Sequence, residues 1–215
     1  MIAISMRVDQ IGATGEKRVG LDLNWREVIP VPLLPISPLS NPNILVSELN
    51  LVSGVILSGG NDVYPREQDI ASKIRKTFEN KLLKVCLENK IPIFGVCYGL
   101  QLIASTFGAK IKKLDGHVAC DHDVYRAKDC PIAFDHFPQR LKVNSFHNFG
   151  ILDGDLPNSN LLPIYRDKAS NVEAIALGCS FISLIIKLEY SPILIFSSAI
   201  IISLDFRLIC FRFSE

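Results

Sequence analysis

Cys97 stands between two glycines in Gly95-Val96-Cys97-Tyr98-Gly99. The apolar run IPIFGV (91–96) precedes it and GLQLIASTF (99–107) follows. A G-x-C-x-G turn between a strand and a helix is the cysteine form of the nucleophile elbow. The turn is tight, and a side chain at either glycine would meet neighbouring backbone. A cysteine there sits at a helix N-terminus, where the dipole is expected to lower the thiol pKa. The N–H of Tyr98 is expected to face a developing oxyanion.

A second stretch carries similar chemistry. Ser58-Gly59-Gly60-Asn61-Asp62 follows the run GVILS (54–58). A Gly pair at the end of a parallel strand lets backbone N–H groups approach a ligand closely. The alternative is a simple turn.

The elements that must position these residues follow from patterning. IAISM (2–6), VPLLPI (31–36), GVILS (54–58) and IPIFGV (91–96) read as strands. RVGLDLNWREVI (18–29) has apolar residues at helical spacing, and NPNILVSELN (41–50) reads as a short helix. In DIASKIRKTFENKLLKVCLENK (69–90), Ile70, Ile74, Phe78, Leu82, Val85 and Cys86 share one helical face. Arg75 and Glu79 on this helix form an i,i+4 pair worth a few tenths of a kcal/mol. Gly108 sits where the elbow helix would be capped. HDVYRA, LKVNSF, NLLPIYR and NVEAIAL read as later strands. Alternating strands and helices predict one α/β domain over residues 1–215, an open, mostly parallel flavodoxin-like sheet with helices on both faces.

The chain has 215 residues, 48% apolar and 21% charged, with a formal net charge of +1. That balance fits a globular core and gives no basic field for nucleic acid. Six cysteines without a CxxC pair, and no signal-peptide pattern, point to reduced thiols in the cytoplasm. Tyr190–Leu204 is uncharged but, at 15 residues, is shorter than a bilayer span needs; buried strand or helix is expected. No cofactor is expected. His117-x-x-Cys120-x-His122, with Cys130 and His136 later, fits no standard zinc module, so no metal is expected.

Three segments together, GVILSGGNDVYP, IPIFGVCYGLQLIASTFGAKI and VNSFHNFGI, resemble the class I glutamine amidotransferases. Within them the chain looks most like the γ-glutamyl hydrolase branch that includes γ-glutamyl-γ-aminobutyrate hydrolase. The resemblance runs from about residue 2 to about residue 176. It implies that Cys97 attacks the γ-carbonyl of a glutamine or γ-glutamyl amide and forms a thioester that water releases. It implies an oxyanion hole from the N–H groups of Gly60 and Tyr98, and a γ-glutamyl cradle from Gln101, Ser145 and Phe146. It places His117 or His122 near the substrate, the alternative being two exposed or hydrogen-bonded loop histidines. His147 belongs to a segment whose histidine is near the substrate but distinct from the base. Tyr98 stands where that branch usually carries Arg; Tyr occurs there in some synthetase-linked members. The partners implied are a small γ-glutamyl substrate and either a synthetase chain or a second copy.

The resemblance also implies a histidine base in an H-P-E segment soon after an E-A-I strand. Val172-Glu173-Ala174-Ile175 matches the strand, but the four histidines, His117, His122, His136 and His147, all lie upstream. From Phe181 to Leu204, Ile, Ser and Leu supply 17 of 24 residues. Three readings follow: a replaced C-terminus, as a frameshift would produce; a pseudoenzyme that binds but does not turn over; or His147 serving as base. Losing the base of such a unit costs on the order of 10⁴–10⁶ in rate.

Overall fold

The computed structural model describes residues 1–12, 15–41, 52–131, 134–135, 137–157 and 161–177, and the backbone of 199–202. The helix expected over 41–50 and most of the Ile/Ser/Leu-rich tail fall outside these residues, as does His136.

Four short strands form a parallel half-sheet: β1 (Ile2–Ser5), β4 (Leu33–Ile36), β5 (Val55–Leu57) and β6 (Ile93–Val96), in the order β4-β1-β5-β6. The near-continuous apolar sequences of β1, β5 and β6 suit strands buried on both faces, and β4 is the half-exposed edge. The second half is largely antiparallel. It contains β8 (Val118–Arg126), β9 (Arg140–Phe146), β11 (Leu161–Asp167) and β12 (Asn171–Leu177). The tail supplies β13 (Ala199–Ile202), which lies between β6 and β12 and joins the halves. Two strands lie off this path: β10 (Phe149–Leu152) pairs with β12 and with the short β7 (Lys112–Lys113).

Residues 7–20 depart from the helical expectation for 18–29. They form a separate hairpin, β2 (Arg7–Ile11) and β3 (Glu16–Gly20), and only Trp25–Val28 is helical (α1). Only Val8 of β2 is buried, and it pairs with Val19 of β3, so cross-strand pairing prevails over the helical spacing read from residue 18 onward. Trp25 and Val28 of α1 pack with Ile2, Ile4, Ile56 and Val96 on one face of the sheet.

The other face carries the long helix α2 (Ile70–Glu88) and the elbow helix α3 (Tyr98–Thr106). Phe78, Leu82 and Cys86 of α2 join Leu57, Leu100 and Ile103 in one core cluster. Asp69 caps α2, its carboxylate accepting the Ser72 N–H at 2.9 Å. α3 is capped by Phe107, and Gly108 follows in the left-handed region at φ 93°, as the residue after a helix C-cap often does.

The buried face of α2 differs from the apolar stripe. Ile70 and Ile74 are 44% and 40% exposed, whereas Arg75 and Glu79 are both fully buried. Burial here follows what lies opposite, the polar loop after β5, and that loop demands hydrogen-bond donors rather than methyl groups.

Candidate active site

The elbow is built by close backbone approach. A Cβ on Gly95 would lie 2.6 Å from the Gly99 carbonyl carbon, and one on Gly99 would collide with the Leu57 carbonyl. Both positions therefore exclude side chains, and β6 can turn into α3 within three residues. Cys97 takes φ 51° and ψ −105°, a conformation that a non-glycine residue holds only when its surroundings enforce it.

The strain aims the thiol at two donors. The backbone N–H groups of Tyr98 and Gly60 lie beside the Cys97 sulfur and favour its anion. Burial outweighs them, so the thiol pKa is raised, and the nearby Glu173 carboxylate adds to the rise. The lowering expected from the helix dipole is overturned by desolvation.

Gly60 is held at φ 103°. A Cβ there would sit 3.0 Å from the Arg7 Cδ and 3.2 Å from the Arg75 Nη1. Arg75 organises this loop. Its Nη2 donates to the Ser58 carbonyl at 2.6 Å and the Ser58 hydroxyl at 3.0 Å. Its Nη1 donates to the Gly59 carbonyl at 2.7 Å and Asn61 Oδ1 at 3.2 Å. Its Nε donates to Glu79 Oε1 at 3.0 Å, both side chains being inaccessible to solvent. The pair is thus a buried ion pair, not the surface pair expected from spacing. Burial pushes the Glu79 carboxyl up, and Arg75 opposes that rise. The Tyr98 ring, 1% exposed, lies beneath the guanidinium. Burial and the adjacent Glu79 push the Tyr98 phenol well above its usual range.

Asn61 ties the hairpin to the same loop. Its amide donates to the Val8 carbonyl at 2.8 Å and its Oδ1 accepts from the Val8 N–H at 3.2 Å. The hairpin then forms one wall of a cleft of about 410 Å³. Gly60, Cys97, Gln101, Phe146, His147 and Phe149 line it. Gln101 Nε2 donates to the Phe149 carbonyl at 2.7 Å, and His147 Nδ1 donates to the same oxygen at 2.9 Å. These bonds hold the turn between β9 and β10 against α3.

Of the residues singled out in sequence, Cys97, Gly60, Gln101, Phe146 and His147 therefore share one cleft. Phe146 is 70% exposed at its edge. Ser145 points away: it is fully buried, and its hydroxyl makes no hydrogen bond. Neither His117 nor His122 is among the cleft-lining residues; His117 is a buried, hydrogen-bonded loop histidine and His122 lies on β8.

His117 precedes β8 directly and His122 lies on it. Residues five apart in a regular strand face opposite sides. Here a bulge between Val118 and Cys120, with Ala119 at φ 52°, slips the pleat by one residue. The two imidazoles consequently meet edge to face, with centroids 4.8 Å apart. His117 Nδ1 donates to the Asp115 carbonyl at 3.1 Å, and its Nε2 faces Asp167 Oδ2 at 3.0 Å and Glu173 Oε1 at 3.5 Å. The other Glu173 oxygen is 3.6 Å from His147 Nε2. Glu173 thus links the two histidines and reaches Cys97 electrostatically. The sequence marked it only as part of a strand match. Its signal was a charged residue inside an otherwise apolar strand, at 3% exposure.

A sheet that presents a cysteine at a strained elbow, opposite a Gly-Gly loop, has the architecture of the class I glutamine amidotransferase fold. The glutaminase domain of Trypanosoma brucei CTPS, solved with bound acivicin, shares that fold with a TM-score of 0.56 at 16% identity, over 82% of this chain and 80% of that one. The chain belongs to the peptidase C26 family, whose model matches residues 25–182. This is a family of hydrolases and amidotransferases acting on glutamine-type amides. A γ-glutamyl-CDP-amidate hydrolase of Campylobacter jejuni is 32% identical over 182 residues, covering 80% of this chain and 85% of that protein. A glutamine-hydrolysing GMP synthase of Borreliella burgdorferi is 26% identical over 127 residues, 59% of this chain but 21% of the synthase.

Among the described residues no helix is long and apolar enough to cross a membrane.

Proposed function

We propose that the chain binds a γ-glutamyl amide in the cleft and that Cys97 attacks its γ-carbonyl. The thiolate sulfur forms a bond to that carbon. The oxyanion is received by the N–H groups of Gly60 and Tyr98, the C–N bond breaks, and the amine leaves with the proton that the Cys97 thiol gave up. Water then cleaves the thioester to glutamate and the free thiol. The observation that carries this reading is the convergence of those two N–H groups on a strained, cleft-lining cysteine. Gln101 and Phe146 would hold the glutamyl half. The relative from Campylobacter jejuni supplies one amine half to try, CDP-amidate.

Turnover by these 215 residues is proposed to be low. No histidine follows His147, so the base in an H-P-E segment is missing from this sequence. His147 lines the cleft, yet its Nε2 faces Glu173, and its Nδ1 is committed to the Phe149 carbonyl. A step through His147 would require that imidazole to leave Glu173. The chain is accordingly expected to acylate more readily than it turns over.

The test pairs labelling with turnover. Acivicin, an electrophilic glutamine analogue, should modify Cys97, read by mass spectrometry of the peptide. Glutamate release from glutamine and from γ-glutamyl-CDP-amidate should be at least ~10⁴-fold below that of a complete triad. Ordinary enzyme rates would refute the impaired reading; absence of Cys97 labelling would refute the site.

A second reading is favoured by the match to a glutamine-hydrolysing synthase. In it the chain is a glutaminase component that passes ammonia to a synthetase partner. Glutamate release that appears only with a partner chain would select it.

A further inference from the structure

We propose that His117, His122 and Asp167, none of which lines the catalytic cleft, form a binding site for a divalent transition-metal ion of the zinc type. One donor atom from each residue lies within 4.8 Å of the other two. The inference does not depend on the reaction at Cys97.

Three observations carry it. First, His122 Nε2 is buried and makes no hydrogen bond. A buried acceptor or donor without a partner costs about 1–3 kcal/mol, and a metal bond removes that cost. Second, His117 is oriented as a metal ligand is. Its Nδ1 is anchored on the Asp115 carbonyl at 3.1 Å, which turns Nε2 toward Asp167. Metal-bound imidazoles commonly use their second nitrogen this way. Third, the carboxylate is fixed from behind. Asp167 Oδ1 accepts from the Ala169 and Asn171 N–H groups at 2.8 Å each, and Oδ2 accepts from Asn171 Nδ2 at 2.7 Å. A metal would replace the His117 contact on Oδ2 and leave the other three bonds in place.

Two imidazoles and one carboxylate are a nitrogen–oxygen donor set suited to Zn²⁺, with Co²⁺ and Ni²⁺ as weaker or comparable occupants. Donors on a tetrahedral zinc, at bonds of 2.0–2.1 Å, lie about 3.3 Å apart. His117 Nε2 and Asp167 Oδ2, at 3.0 Å, are already within a few tenths of an ångström of that spacing. All three donors lie within 4.8 Å of one another, so the partly buried His122 ring would have to close the remaining gap. Three protein ligands would leave a fourth position for water, and Glu173 Oε1 lies 3.5 Å from His117 Nε2. Cys120 is outside the set, because its Sγ donates to the Gly116 carbonyl at 2.9 Å.

The sequence spacing did not announce this site. His117 and Asp167 are fifty residues apart, and the bulge at Ala119 is what turns His122 to the same side.

The test is a titration of chelator-treated, desalted full-length chain. Zn²⁺ binding is read by calorimetry, and Co²⁺ binding by the visible absorption of a four-coordinate ion. One ion per chain is expected in the wild type, in Cys97→Ser and in Cys120→Ser. His122→Gln and Asp167→Asn should each weaken Zn²⁺ binding at least ~10-fold, with the far-ultraviolet circular dichroism unchanged. Imidazole ¹⁵N spectra of the wild type need no variant: Zn²⁺ should move the His117 and His122 Nε2 resonances. Three results would overturn the proposal: no binding by the wild type, binding that survives His122→Gln and Asp167→Asn, or loss of binding in either cysteine variant. Unmoved His122 resonances at saturating Zn²⁺ would overturn it as well.

Discussion

The Arg75 guanidinium lies over the ring of Tyr98, with its central carbon 4.3 Å from the ring centroid. The same guanidinium holds the Ser58 and Gly59 carbonyls. One buried side chain therefore braces both segments whose N–H groups converge on the Cys97 sulfur.

Replacing Arg75 by Met should be costly. It leaves Glu79 buried without its ion pair and frees the carbonyls of the Gly-Gly loop. Breaking one partner of a buried pair costs about 3–5 kcal/mol. Urea unfolding should show that loss, and the double variant Arg75→Met/Glu79→Leu should regain much of it. Cys97 labelling by acivicin should stay slow in the double variant, because the loop remains unbraced. Full recovery of labelling would assign Arg75 to stability alone.

Gly99→Ala tests the elbow. The added Cβ collides with the Leu57 carbonyl, which is backbone of a central strand and cannot swing aside. A loss above ~3 kcal/mol is expected in urea unfolding, at the high end for a single substitution. Gly154→Ala, where no atom lies within 4 Å, should be nearly neutral by the same measurement.

The pH profile of Cys97 alkylation follows from its environment. Burial raises the thiol above its ordinary value, so less thiolate is present at neutral pH than in a free cysteine. Iodoacetamide should modify Cys97 more slowly than glutathione at pH 7. The rate should rise about tenfold per pH unit, with a midpoint above the usual thiol range. A midpoint below that range would show that the two N–H donors outweigh desolvation.

Cys86 predicts alkaline behaviour. Burial pushes its thiol up to about 12 from 9.0. Its folded pKa exceeds its unfolded value, so its contribution to stability is complete below pH 9 and is lost as pH rises toward 12. The slope assigned to this group is about 1.4 kcal/mol per pH unit. Denaturant midpoints measured across that window should fall, and Cys86→Val should flatten the decline.

The readable parts of the fold were the apolar strands 2–6, 54–58 and 91–96 and the helices around 70–88 and 98–106, because each is a local pattern. Ile70 and Ile74 show where local pattern misleads. They continue the apolar stripe of α2 but face solvent, while Arg75 and Glu79 take the buried positions. The stripe cannot report what stands opposite it. Ser145 misleads in a related way: it belongs to the VNSFHN segment, yet strand alternation turns it into the interior and leaves Phe146 at the cleft.

What the sequence determined by itself is the elbow. Gly95 meets Gly99 through backbone atoms four residues apart, so their spacing specifies the turn that presents Cys97 and the Tyr98 N–H, while the Leu57 carbonyl of β5 adds the second reason for Gly99. Tertiary structure decided everything that crosses the sheet. It buried the thiol enough to raise its pKa, and it brought Gly60 to the sulfur under Arg75. It also slipped the pleat at Ala119, so that His117 and His122 face Asp167 together. Those outcomes depend on strand order, burial and one extra residue in a ladder, which are properties of paired segments rather than of any one segment.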